Sequence, residues 1–238
     1  MLRATQLFSD NVAPHAPSQP TAPYAPILAE KLDFLKSLDN KAPLPSKFDA
    51  LLIIDMQKEF CKIGKIRNAI FSDRRGNQDT RLTTEHCVPI INQFRQASLP
   101  IYSIYFSPKP RHPLFIDFYG YEHRIQDKLV HKNTDSAFKT KSNNFAERLN
   151  NAGHKNLLVM GFNTSACVKT TLHDAQRLGF NTWLMLDCTG NDNSAGDSYT
   201  AEHLAADRVD KLKKMKNAGV EFTTSDVVLK QISLFNRP

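Results

Sequence analysis

The sequence predicts a three-layer α/β/α, Rossmann-like fold around a mostly parallel central sheet. Three observations carry that expectation. Strand and helix patterns alternate from Phe48 onward, as expected for parallel strands joined by covering helices. Ala50-Leu51-Leu52-Ile53-Ile54 is apolar throughout, the pattern of a parallel core strand. Leu157–Met160 is a second short apolar run, and from Thr164 the spacing changes to a helical period.

The elements follow in order. Ile27 to Leu38 reads as a short amphipathic helix with Leu28, Leu32, Phe34, Leu35 and Leu38 on its apolar side. Ala50–Ile54 is a strand, Glu85–Gln96 a helix, and Ile101–Phe106 a strand closing on Ser107-Pro108. The apolar pair Leu129-Val130 leads into His131-Lys132 as a further strand end. Ser142–Ala152 is a helix and Leu157–Met160 a strand. A helix then runs from Thr164, a candidate cap, to Leu178, with Gly179 as its stop and Val168, Leu172, Ala175 and Leu178 on one side. Thr182–Leu186 is a strand ending at Asp187, Ala201–Asn217 a helix closed by Gly219, and Val220–Thr223 the last strand. Ser225 is placed to cap a final helix.

The chain divides unequally. Residues 1–47 hold seven of the thirteen prolines and no strand pattern, so Ala13–Pro26 is expected to be extended or disordered. Residues 48–238 form the α/β domain. Hydrophobic residues at 41% and charged residues at 23% are ordinary for a soluble protein. No apolar run approaches the roughly 18 residues of a membrane span, and the N-terminus lacks an apolar signal core. Cys61, Cys87, Cys167 and Cys188 are widely spaced, with no zinc-ligand pattern, which fits a reducing, cytoplasmic setting. The net charge of +7 is spread along the chain. Neither basic stretch, Lys62 to Arg81 or Lys211 to Lys216, has interleaved aromatics or a nucleic-acid motif. No nucleic-acid or membrane partner is expected, and the charge is better suited to solvation or to attracting an anionic substrate.

Three segments carry the chemistry. Cys167 falls in the first turn of the Thr164 helix, where backbone N–H groups and the positive helix end favour thiolate over thiol. Asp55 follows the first strand, where ligands bind in open α/β sheets; alone it reads as a helix cap or a base, and beside a thiol it is suited to take the thiol proton and return it to a leaving group. Lys132 follows the Leu129-Val130 pair; alone it reads as a solvated surface group, and beside Asp55 it can hold that carboxylate in place. Backbone N–H groups between Asn163 and Cys167 can bind an oxyanion. A nucleotide-binding domain would need a glycine-rich turn after the first strand, and Asp55-Met56-Gln57-Lys58-Glu59 has none.

Together these segments resemble the isochorismatase-like cysteine hydrolases, a family that includes nicotinamidases, N-carbamoylsarcosine amidase and isochorismatase. Asp55, Gln57 and Phe60 match its first motif, and Lys132, Ser136, Ala137 and Phe138 its second. Gly161, Thr164, Cys167 and Val168 match its third, and the likeness runs from about Phe48 to about Leu229. The resemblance implies a catalytic Asp55, Lys132 and Cys167, and a cis peptide at Phe162–Asn163. The expected oxyanion hole is the backbone of Asn163 and Cys167. Gln57, Phe60, Phe138 and Phe162 are expected around the substrate.

The reaction so implied is hydrolysis of a C–N bond in a small amide, ureido or carbamoyl compound through a thioester-type intermediate. Ether hydrolysis of the isochorismatase kind, or a silent binding module, are the alternatives. Many nicotinamidases have an Asp-x-His and a further His after the second main strand. Here Ser107 to Pro113 offers His112 alone, so no metal and no cofactor are expected. Relatives are commonly oligomers, so a homo-oligomer is expected.

Overall fold

Six parallel strands in the order β3-β2-β1-β4-β5-β6 form the sheet of the computed structural model, which describes residues 25–58, 76–190 and 201–235. The strands are β1 (Ala50–Ile54), β2 (Ile101–Phe106), β3 (Lys128–Lys132), β4 (Asn156–Phe162), β5 (Asn181–Gly190) and β6 (Glu221–Thr223). The helices are α1 (Ala25–Lys36), α2 (Gly76–Gln96), α3 (Phe145–Asn151), α4 (Lys169–Arg177), α5 (Ala201–Asn217) and α6 (Ser225–Phe235). The expected three-layer α/β/α architecture is therefore present. No helix among the described residues is long and apolar enough to cross a membrane.

Successive residues of β1 serve opposite cores, because side chains alternate along a strand. Ala50, Leu52 and Ile54 join one core with Val168 and Leu172, and Met215 of α5. Leu51 and Ile53 join the other with Ile90 and Phe94 of α2, and Val228 and Ile232 of α6. All five residues of β1 are buried, which explains the uniformly apolar run.

The chain steps from β1 outward to β3, returns to place β4 on the other side of β1, and continues to β6. The direction of winding reverses between β1 and β4. In such sheets the connections leave a crevice beyond the carboxyl ends of the two strands at the reversal. Asp55 follows β1 and Cys167 follows β4, so topology brings them to one crevice.

Some expectations are corrected. β5 runs on past Asp187 to Gly190, with a register irregularity against β4 between Val159 and Gly161. Asp187 instead accepts from the backbone N of Ser225 at 2.9 and 3.0 Å, and from the Ser225 hydroxyl. A carboxylate from β5 thus anchors the start of α6, where Ser225 was expected to act as the cap. The helix after β4 begins as a π-type turn, Thr164–Val168, before α4. Phe60, Cys61, the basic residues from Lys62 to Arg75 and the proline-rich 13–24 segment lie outside the described residues.

The α1 helix docks on the body of its own chain. Phe34 is buried and meets Phe222 edge-to-face at 5.4 Å. Glu30 takes a two-pronged ion pair from Arg208 of α5 at 3.1 and 2.7 Å. Lys31 is also buried, and its Nζ donates to the Thr189 carbonyl of β5 at 2.5 Å. Phe34→Ala is expected to cost about 3 kcal/mol and lower Tm by roughly 6–12 °C. An unchanged thermal melt would mean that α1 contributes nothing to the cooperative unit.

Candidate active site

Asp55 leaves β1 with φ 50° while its N–H still donates to Ile104 O at 3.0 Å. Aspartate tolerates this left-handed conformation better than most residues. The following residues turn away from the sheet and pair with 117–119: Lys58 N donates to Asp117 O and Tyr119 N to Met56 O. The Gln57 amide closes the end of β2, accepting from Phe106 N at 2.6 Å and donating to Phe106 O at 3.2 Å. Gln57 is therefore a strap between β1 and β2, and it is not among the described residues that line the cavity below.

Lys132 ends β3, with β2 lying between it and β1. Neighbouring strands are about 4.8 Å apart, so reaching Asp55 requires a long side chain. Lys132 is fully buried, and its Nζ lies 2.7 Å from Asp55 Oδ2. It also donates to the carbonyls of Thr134 at 3.1 Å and Asp135 at 3.4 Å. These three acceptors match the three N–H bonds of an ammonium. The Phe106 ring lies 5.1 Å below the same charge.

The segment after Lys132 is pinned by the residues of the second motif. Ser136 Oγ accepts from Phe138 N at 3.2 Å, and Ala137 N donates to Thr171 Oγ1 of α4 at 3.2 Å. The half-buried Phe138 ring stacks on Phe145 at 5.0 Å and Phe180 at 5.8 Å, against the edge of a core. Phe138 thus holds the loop that carries Lys132 rather than walling a pocket.

Gly161 closes against β1. Its φ is +122°, and a Cβ there would stand 2.1 Å from Ile54 O, so only glycine fits. The Phe162–Asn163 peptide that follows is cis. The Asn163 carbonyl accepts from Ala166 N and Val168 N, both at 3.1 Å. Thr164 was expected to cap this turn. Its hydroxyl instead meets Thr189 Oγ1 at 2.8 Å, and Thr189 donates to Gly161 O at 2.9 Å. The lengthened β5 is what brings Thr189 to this turn.

Asp55, Phe106, Asp135, Phe162, Asn163 and Cys167 line one cavity of about 150 Å³. Of the expected pocket residues, Phe162 lies on its wall. Phe106 and Asp135 were not expected there. Phe106 is one more aromatic in an apolar strand, and Asp135 falls in the variable stretch between Lys132 and Ser136 of the second motif, so neither had a local signal.

The electrostatics overturn one expectation. Burial raises the Asp55 carboxyl above its ordinary 3.8, opposed by the Lys132 charge and hydrogen bond. Burial, and then the Asp55 charge, push the Cys167 thiol up to about 12, against the pull of Lys132. The resting thiol is protonated, where the helix start alone suggested a thiolate. Lys132 is closest to Asp55, so its field is largely offset before it reaches sulfur. Asp55 Oδ1 is buried without a formed hydrogen bond among the described residues. The Cys167 thiol stands close enough that each group biases the other's protonation. The arrangement suits a base that removes the thiol proton during attack.

No group of three or more His, Cys, Asp or Glu able to hold a metal ion occurs among the described residues. His112 Nδ1 instead accepts from Leu114 N at 3.4 Å, capping a short 3₁₀ turn.

Known proteins resemble this chain over most of its length. The family model described as the isochorismatase domain matches residues 49–226. Nicotinamidase 3 of Arabidopsis thaliana is 30% identical over a 182-residue alignment that covers 67% of this chain and 82% of that protein. A cysteine hydrolase from Pseudomonas syringae pv. phaseolicola superposes with a TM-score of 0.64 at 15% identity, covering 83% of this chain and 99% of that one. The pyrazinamidase of Pyrococcus horikoshii, solved in complex with zinc, superposes with a TM-score of 0.55 at 20% identity, covering 74% and 98%. At these identities the two structures speak to the fold alone.

Proposed function

Because the chain belongs to the isochorismatase family of hydrolases, we propose that it hydrolyses a C–N bond in a small amide, ureido or carbamoyl compound, with Cys167 as nucleophile. One observation carries this reading: the buried Lys132–Asp55 pair opens on the Cys167 thiol within a single cavity. The cavity volume of about 150 Å³ is below that of drug-sized sites, which favours a small acyl group.

The substrate carbonyl lies beside Cys167. Asp55 Oδ1 takes the thiol proton as sulfur attacks carbon, while Lys132 holds Oδ2 and keeps the carboxylate aimed. The oxyanion is received by backbone N–H groups of Asn163 and Cys167. The C–N bond breaks, Asp55 returns its proton to the leaving nitrogen, and a thioester remains. Asp55 then activates a water that attacks the thioester, releasing the acid and restoring the thiol. The net reaction is amide plus water to acid plus amine.

A screen of small amides and ureido compounds for ammonia or amine release, run beside Cys167→Ala, tests the reading. Release by the native protein alone supports it, and equal release by both proteins rejects it. The pyrazinamidase was solved with zinc, but the donor set found among the described residues here does not fit such a metal. We therefore expect exhaustive chelation to leave turnover and Tm unchanged. Loss of either, restored by adding zinc, iron or manganese, would reassign the chemistry to a metal.

A further inference from the structure

The proposed chemistry gives Asp135 no task, yet it lines the cavity that holds Asp55 and Cys167. Its backbone is fixed from inside, because its carbonyl accepts from the buried Lys132 Nζ. Its side chain is exposed and has no ion-pair partner among the described residues. The carboxylate is near enough to Asp55 for its charge to help raise that group.

Counted over the described residues that line or pair within the cavity, the Lys132 cation is matched by Asp55, the thiol is neutral, and Asp135 remains. Among the described residues the cavity therefore carries one uncompensated negative charge, although the whole chain is at +7. A second observation points the same way. The Phe162 ring adds an aromatic wall, a surface that tolerates cations better than anions.

We propose that the site selects a small amide or ureido compound bearing a cationic or N–H-donating head group, with Asp135 as its counter-ion, and rejects anionic substrates. This rests on the amidohydrolase reading and sharpens it. It also reverses the expectation, drawn from overall charge, of an anionic substrate. Local charge decides binding because screening shortens the reach of distant surface lysines to about 8–10 Å, whereas Asp135 is in the cavity itself.

The test uses the full chain and a matched pair of methanethiosulfonates, one with an aminoethyl and one with a sulfonatoethyl tail. Modification of Cys167 is followed by peptide mass spectrometry. Rates are normalised to those of the same cysteine in unfolded protein. The native site is expected to favour the cationic reagent by about tenfold at low salt, with the preference shrinking toward 1 M salt. Asp135→Asn should reduce the preference about fivefold, and Asp135→Glu should retain it. A native preference equal to the unfolded reference, or one untouched by Asp135→Asn, overturns the proposal. The reagents report on the thiol without turnover, so a failed amide screen and a failed charge preference are separate results.

Discussion

Cys167→Ala is expected to lose about 10⁴-fold or more in kcat for whichever amide the native protein turns over, because the covalent route disappears with the sulfur. Asp55→Asn should lose activity on a similar scale, since the thiol, pushed up to about 12, then has no base to take its proton. The two losses should not add. Each variant removes the same step, so the double variant should be little worse than either single one. The measurement is steady-state amine release, with a trapped acyl-enzyme sought by intact-mass spectrometry. Near-normal turnover by Cys167→Ala would end the covalent assignment and leave direct attack by an activated water on the amide.

The pH profile follows from the same two groups. The active form has an ionised Asp55 and a protonated thiol. Activity should fall on the acid side as Asp55 takes a proton, at a pH above the ordinary carboxylate value of 3.8. The thiol should impose no alkaline limb until about pH 12.

Lys132→Met is expected to have the largest effect on stability. The ammonium is fully buried against Asp55, and removing one partner of a buried pair leaves an uncompensated charge. The cost is about 3–5 kcal/mol at neutral pH, or roughly 10 °C in Tm for a chain of this size. The sign of the pH dependence is fixed. Without Lys132, burial raises the Asp55 carboxyl further, because the two largest lowering influences on it are gone. A folded-state pKa above the unfolded value gives stability that is present below about pH 3.8 and lost as pH rises through the folded pKa. The variant should therefore be closest to native stability in acid and furthest from it at neutral pH. Any residual activity should have its acid limb moved to higher pH. Adding Asp55→Asn to Lys132→Met should restore much of the Tm, since both charges are then absent. A double variant no more stable than Lys132→Met would show that packing around the lysine stem, not the charge, holds this region together.

The sequence by itself determined most of the strand positions and which polar side chains stand at their ends. Ala50–Ile54 and Ile101–Phe106 are strands over those same residues, because an apolar run cut off by turn residues is a local pattern with one packing solution. Ala201–Asn217 likewise keeps its predicted bounds. Asp55, Lys132 and Cys167 were legible because each breaks an apolar pattern at a strand or helix boundary.

What only the tertiary structure decided depends on partners distant in sequence. Asp187 anchors α6 across 38 residues, which removes the capping role that Ser225 appeared to hold locally. Gln57 straps β2 across 49 residues, and the half-buried Phe138 packs against a core. Lys31, on a helix side expected to be apolar, is buried on the Thr189 carbonyl. The same holds for ionisation. A helix start favours thiolate, but burial and the facing carboxylate outweigh it, and both arise only when β1 and β4 lie side by side. Local spacing fixes which groups a segment offers. Desolvation and charge pairing fix what those groups do, and these are properties of the assembled fold.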